Sequence, residues 1–223
     1  MVEWKDVRKG FRRAGGEWAE VLRIGAFRVD PGEQVALVGP SGSGKTTLLH
    51  ILCGLLLPDE GEVRVDGVRL DMMGEAARDR WRGRRVGVVH QGFHLLAGYT
   101  VEENIEIAMR FGAGLDRERA AALLLRVGLA GFAKQPAGSL SVGQKQRVAL
   151  ARALANHPAL VLADEPSASL DPPMARLAME LLQETCRENH AALLVVTHDE
   201  RALGNFRRVE RLDSLTLAPE PCP

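Results

Sequence analysis

Glycines, a lysine and hydroxyls stand at phosphate-binding spacing in Gly39-Pro40-Ser41-Gly42-Ser43-Gly44-Lys45-Thr46-Thr47. The run fits G-x-x-x-x-G-K-[ST]. It sits where that pattern must sit, after the apolar strand Val35-Ala36-Leu37-Val38 and before the helical stretch Leu48 to Cys53. Gly39, Gly42 and Gly44 let the backbone curl so that successive amide hydrogens point inward, and a helix starting near Lys45 adds its positive end. In such a cradle Lys45 is expected to reach the β- and γ-phosphates and Thr46 to place its hydroxyl on Mg²⁺. Ser41, Ser43 and Thr47 can donate further hydrogen bonds. A second run, LSVGQKQRVALARAL from Leu140 to Leu154, sets Gly143 among polar residues at the mouth of an Arg- and Ala-rich helix, which is a ready anion site.

A third feature is a pair of carboxylates. The apolar strand LVLA ends in Asp164-Glu165-Pro166, so both acids emerge at the carboxyl edge of a buried strand, where open α/β sheets bind ligands. Asp164 is expected to hold Mg²⁺ through water, and Glu165 to polarise an attacking water.

The elements that must position these residues follow from the apolar pattern. Alternating stretches, Val2 to Val7 and Val21 to Val29, predict antiparallel strands. The short continuous runs Val35 to Val38, Val86 to Val89, Leu160 to Ala163 and Leu193 to Val196 suit a buried, largely parallel sheet. Between Val101 and Ala155 the period becomes helical, with Asn104 to Phe111, Asp116 to Val127 and Val142 to Ala155 separated by Gly-containing breaks. Asp171 before Pro172 marks the start of a helix running to Arg187, and Pro158 follows the helix that begins near Val142. The fold class expected is α/β: a mainly parallel sheet flanked by helices, with an N-terminal antiparallel β subdomain and a helical insertion. The expected division is 1–91 and 156–212 as nucleotide-binding core, 92–155 as helical subdomain, and 213–223 as an irregular tail.

With 223 residues the chain suits one such domain. The formal net charge of +0 leaves no electrostatic footprint for nucleic acid. Cys53, Cys186 and Cys222 are odd in number and lack metal-ligand spacing, which points to a reducing compartment. The N-terminus lacks the apolar core of a signal peptide, and the most apolar stretch, Leu48 to Leu57, is too short to span a bilayer. A cytoplasmic chain, held to a membrane only through another protein, is the expectation.

Taken in order, these motifs make the chain resemble the nucleotide-binding subunit of an ATP-binding-cassette (ABC) transporter, a P-loop ATPase, from Val2 to about Leu212. The resemblance implies ATP and Mg²⁺ as ligands and hydrolysis of ATP. It gives His198 contact with the γ-phosphate, and Gln91 contact with Mg²⁺ and water. It assigns Ser141, Gly143 and Gln144 to ATP held by the opposite subunit, so two copies would sandwich two nucleotides. Asp171 falls in the matching segment Ser169-Leu170-Asp171. Phe11 is the choice for stacking on adenine, with Trp18 and Trp4 as alternatives.

The sequence departs from the family at Val142, where glycine is commonest. Valine resists positive φ, which would hinder closure of the pair if the position needed it; because Ser141, Gly143 and Gln144 are all kept, the expectation is that Val142 already lies at the helical start, where valine is tolerable. LVLADEPSASLD, LLVVTHDE and GFHLLAGYTVEENI resemble the branch of lipoprotein-releasing, macrolide-exporting and cell-division ATPase subunits. In that branch the segment 92–100 would dock on an integral membrane permease through Phe93, Leu95, Leu96 and Tyr99, on the inner face of the cell membrane. The competing readings are a soluble ATPase of the same type and a regulatory ATP-binding scaffold.

Overall fold

The computed structural model describes residues 1–168, 170–198, 203 and 206–217. Two sheets form its frame. β4 (Gln34–Val38), β7 (Val86–Val89), β8 (Leu160–Asp164), β9 (Ala192–Thr197) and β10 (Arg208–Arg211) pair in parallel in the order β10-β4-β9-β8-β7. The antiparallel sheet runs β2 (Trp18–Ile24), β1 (Val2–Arg12), β5 (Glu60–Val65), β6 (Val68–Arg69), with β3 (Phe27–Val29) also on β1.

The continuous apolar runs exist because the parallel sheet is buried on both faces. Leu160, Leu162, Ala192, Leu194 and Val196 enter one core, shared with the antiparallel sheet and α1 (Lys45–Leu52). Val161, Ala163, Leu193 and Val195 point the other way. There they meet α3 (Val101–Arg110), α4 (Arg117–Arg126), α5 (Val142–Ala153) and α6 (Pro172–Glu188). Side chains alternate along a strand, so two cores demand an apolar residue at every position.

Helix starts follow local chemistry. Thr100 and Glu103 form a capping box on α3, Ser141 and Gln144 form one on α5, and Asp171 caps α6 ahead of its two prolines. Val142 is therefore the first residue of α5, and its φ is not positive.

Elements without an apolar pattern escaped the sequence reading. α2 (Glu75–Arg85) buries none of its residues, β10 is a charged edge strand, and β5 buries only Val63 and Val65. The stretch 213–217, expected to be irregular, is organised. Asp213–Leu215 forms a 3₁₀ turn, Thr216 bridges to Ile24, and the Leu217 amide donates to the Arg23 carbonyl at 3.0 Å. Main-chain pairing of this kind leaves no mark on composition; residues 218–223 lie outside the described set. Among the described residues no helix is long and apolar enough to cross a membrane.

Candidate active site

Where β4 and β8 end and α1 begins, a cleft of about 240 Å³ is lined by Val21, Ser41, Gly42, Gly44, Lys45, Thr46, Thr47, Gln91, Asp164 and Glu165. Gly42 and Gly44 have φ of 80° and 88°, and a Cβ on Gly44 would fall 2.7 Å from the Val21 carbonyl. Both observations exclude side chains here. Gly44 caps α1 with no side chain, so the first amides of that helix face the cleft without intrahelical partners. Ser43 Oγ is buried without a partner, and a Cβ on Gly39 would meet it at 2.9 Å. Lys45 is 7% exposed; its Nζ donates to the carbonyls of Gly39 and Pro40, both at 2.9 Å, and lies 3.7 Å from Glu165 Oε1.

Glu165 is buried, yet its backbone is left-handed at φ 46°. Such a conformation costs an L-residue about 1–2 kcal/mol. Here it is held by the Glu165 amide on the Val196 carbonyl at 2.9 Å and by the Ala168 amide on the Glu165 carbonyl. Its carboxylate accepts from Thr197 Oγ1 at 2.8 Å, from the His198 amide at 3.1 and 3.2 Å, and meets His198 Nδ1 at 2.8 Å. Against an anionic oxygen Nδ1 is the donor, on a half-exposed ring. A carboxylate fixed in this way can polarise a water at the cleft. Thr197 was not assigned a role from sequence, although a hydroxyl closing an otherwise apolar strand was the available signal.

Thr46 Oγ1 donates to Asp164 Oδ2 at 2.8 Å. Burial, and then the neighbouring Glu165 charge, push the Asp164 carboxyl above its ordinary range. Negative charge thus collects without full compensation, a condition that a cation relieves. Among the described residues no cluster of three or more His, Cys, Asp or Glu could hold a metal by itself. The Thr46 hydroxyl and Asp164 carboxylate, side by side at the cleft, are hard oxygen donors of the kind that a phosphate-bound Mg²⁺ takes from a protein.

Residues 22–168 match the ABC transporter family. The chain belongs to that family. It is 45% identical to the lipoprotein-releasing system ATP-binding protein LolD 2 of Rhodospirillum rubrum, over 99% of this chain and 97% of that one. It is 39% identical to the macrolide export ATP-binding/permease protein MacB of Syntrophobacter fumaroxidans, over 99% of this chain but 31% of that one. Among solved structures, the dimeric ABC transporter cassette MJ0796 superposes with a TM-score of 0.86 at 35% identity, over 95% of this chain and 94% of that one. A post-hydrolysis dimer of the same cassette, bound to ADP and Pi, matches at 36%.

This ABC chain is an ATPase, and its remaining expected site residues fall outside the cleft. Ser141 is exposed at the start of α5, and Gln144 Oε1 accepts from the Ser141 amide at 2.9 Å, so both serve the helix cap, with Gly143 beside them. Asp171 accepts from the Met174 amide at 3.0 Å as cap of α6. Ser169 and Asp199 lie outside the described residues. Phe11 is half-exposed on β1, paired with Ala19 of β2 and 5.6 Å from Lys9 Nζ, and Trp18 is more exposed still. Trp4 is a core residue, 2% exposed and stacked on Phe27 at 4.6 Å, so it is no adenine platform.

Proposed function

We propose that two copies of this chain sandwich two ATP molecules and drive an integral membrane subunit, and that the transport reaction is lipoprotein release. The observation that carries the dimer is the separation of two phosphate-binding elements within one chain. Ser141 and Gly143 contribute nothing to the cleft formed by Gly42, Gly44, Lys45 and Thr46. A second copy would bring them in trans, as helix-end donors on the γ-phosphate. Related support comes from the dimeric solved forms of MJ0796.

In the closed pair Lys45 binds the β- and γ-phosphates, and the amides at the start of α1 orient them. Thr46, Asp164 and Gln91 would hold Mg²⁺, which neutralises phosphate charge when bound. Glu165, fixed by Thr197 and His198, accepts the proton of the attacking water, and His198 turns Nε2 to the γ-phosphate. Phe11 offers a half-exposed ring on β1 for adenine.

The segment 92–100 is the proposed docking edge for the membrane subunit. Leu96 and Tyr99 are exposed there, Phe93 is half-buried, and Leu95 packs against the helical core instead of facing outward. Docking would hold the cassette at the cytoplasmic face. Lipoprotein release is preferred to macrolide export on the likeness to LolD 2 along 97% of its length.

The test is recovery of a tagged Glu165→Gln chain from its native host, in detergent with ATP and Mg²⁺. A stoichiometric membrane protein with few spans and a large external domain supports the whole reading. A many-span permease rejects lipoprotein release, and recovery from the soluble fraction alone rejects transport.

A further inference from the structure

The loop that carries Gln91 is held in an unfavourable shape by a residue of the helix that begins at Ser141. Between β7 and α3 the chain passes through Phe93 and His94, both left-handed at φ 59° and 48° although neither is glycine. Left-handed backbone is strained for L-residues, and bulky ones rarely adopt it twice in succession. Part of the turn is local: the Phe93 amide donates to His90 at 2.9 Å, the His94 amide to Gly92 at 2.6 Å, and the His90 and His94 rings stack at 4.5 Å. The far end is pinned by Asn104, which accepts from the Leu96 amide at 2.8 Å and donates to the Leu96 carbonyl at 3.1 Å.

What spans the two strained residues is a guanidinium. Arg152, in the last turn of α5, donates from Nη2 to the Phe93 carbonyl at 2.6 Å and from Nη1 to the His94 carbonyl at 2.5 Å. The Arg152 side chain is half-buried, and among the described residues no carboxylate pairs with it. A half-buried cation without a carboxylate partner is costly unless its donors are satisfied, and among the described residues its acceptors are these two carbonyls. The forked geometry of arginine suits two adjacent carbonyls in a way that a lysine ammonium does not.

We infer that Arg152 is a positioning residue for ATP hydrolysis, holding the loop after β7 in its left-handed form so that Gln91 stays in the phosphate cleft. The inference rests on the reading that Gln91 acts at the nucleotide. α5 presents Ser141 and Gly143 at its opposite end, so one rigid helix ties the element offered to a second copy to the loop that places Gln91.

The experiment uses the full chain with Arg152→Met and Arg152→Lys, each alone and combined with Gln91→Ala. It reads ATP turnover against ATP concentration, together with hydrogen exchange. Losing charge-assisted hydrogen bonds of this kind is expected to lower kcat about tenfold or more in Arg152→Met, with KM for ATP moving less than about threefold. Arg152→Lys should recover part of the loss. If Arg152 works through Gln91, each double variant turns over no more slowly than Gln91→Ala alone. Amides of 93–96 should exchange faster while those of 146–150 in α5 stay protected.

Full turnover in Arg152→Met, multiplying losses in the double variants, or unchanged exchange at 93–96 would each overturn the inference. Should Arg152→Met not fold, Arg152→Lys carries the same comparisons. A Gln91→Ala chain with full turnover removes the reading of Gln91 and the inference with it. A slow Gln91→Ala beside an unaffected Arg152→Met removes the inference alone.

Discussion

Replacing Glu165 with glutamine isolates the chemical step from binding, because the surroundings of the side chain accommodate an amide. The glutamine carbonyl can accept from the His198 amide and Nδ1, and the Thr197 hydroxyl, now 2.8 Å from an oxygen, can rotate to accept from the new NH₂ group. Lys45 loses an attraction acting over 3.7 Å but keeps its bonds to the Gly39 and Pro40 carbonyls. The part of the Asp164 shift caused by Glu165 is relieved, while the larger part, due to burial, remains. Folding and ATP affinity are therefore expected to change little. What disappears is the base: an amide cannot take the proton of water.

General-base contributions run to about 10²–10⁴ in rate, or roughly 3–5 kcal/mol of barrier. The purified variant should bind ATP like the unmodified chain, turn it over at least about a hundredfold more slowly, and accumulate as a dimer in size-exclusion chromatography with ATP and Mg²⁺. Turnover within about tenfold of the unmodified chain would refute the assignment of Glu165 as the base. A monomer under saturating ATP would refute the sandwich.

Lys45→Ala should lose nucleotide affinity with its fold intact, since among the described residues the ammonium bonds only the carbonyls of its own loop beside Glu165; an unchanged ATP dissociation constant would sink the phosphate-loop assignment. Val142→Gly, which restores the commonest family residue, should not improve dimerisation, because position 142 is helical. A glycine there costs up to about 1 kcal/mol of helix stability, readable as a lower Tm. In a chain carrying Cys222→Ser, thiol reagent at pH 8 should find no fast-reacting group until denaturant is added. Cys53 and Cys186 are buried, and burial pushes the Cys186 thiol up to about 12, so thiolate is scarce; rapid labelling of the folded chain would contradict that packing.

Much of the site was legible because its residues act through contacts close in sequence. Gly39 to Thr47 forms its cradle from its own amides and one helix start, so type and spacing sufficed. Asp164 and Glu165 were readable because the apolar strand that ends in these two acids shares its chain with the Gly39 to Thr47 run; alone, such an acidic strand end is as readily a plain turn into a loop. The capping role of Asp171 follows from one neighbouring turn. Val142 falls in the helix, as its neighbours Ser141, Gly143 and Gln144 implied.

Long-range geometry was not legible. Nothing in the local sequence marks Glu165 as left-handed, or joins it to Thr197 and His198 from another strand. Trp4 and Phe11 look alike as aromatic candidates, and only sheet packing buries one and leaves the other half-exposed. The hold of Arg152 on Phe93 and His94 crosses 58 and 59 positions of chain, and a helical arginine carries no sign of which carbonyls it will find. Sequence by itself thus determined the glycine turns ahead of α1, the acid pair at the end of β8 and the buried parallel strands, since these depend on backbone conformation and apolar period within a few residues. Tertiary structure alone decided the orientation of the Glu165 carboxylate, the shape of the Gln91 loop and the separation of Ser141 from the cleft, because each depends on distances between segments that only packing sets.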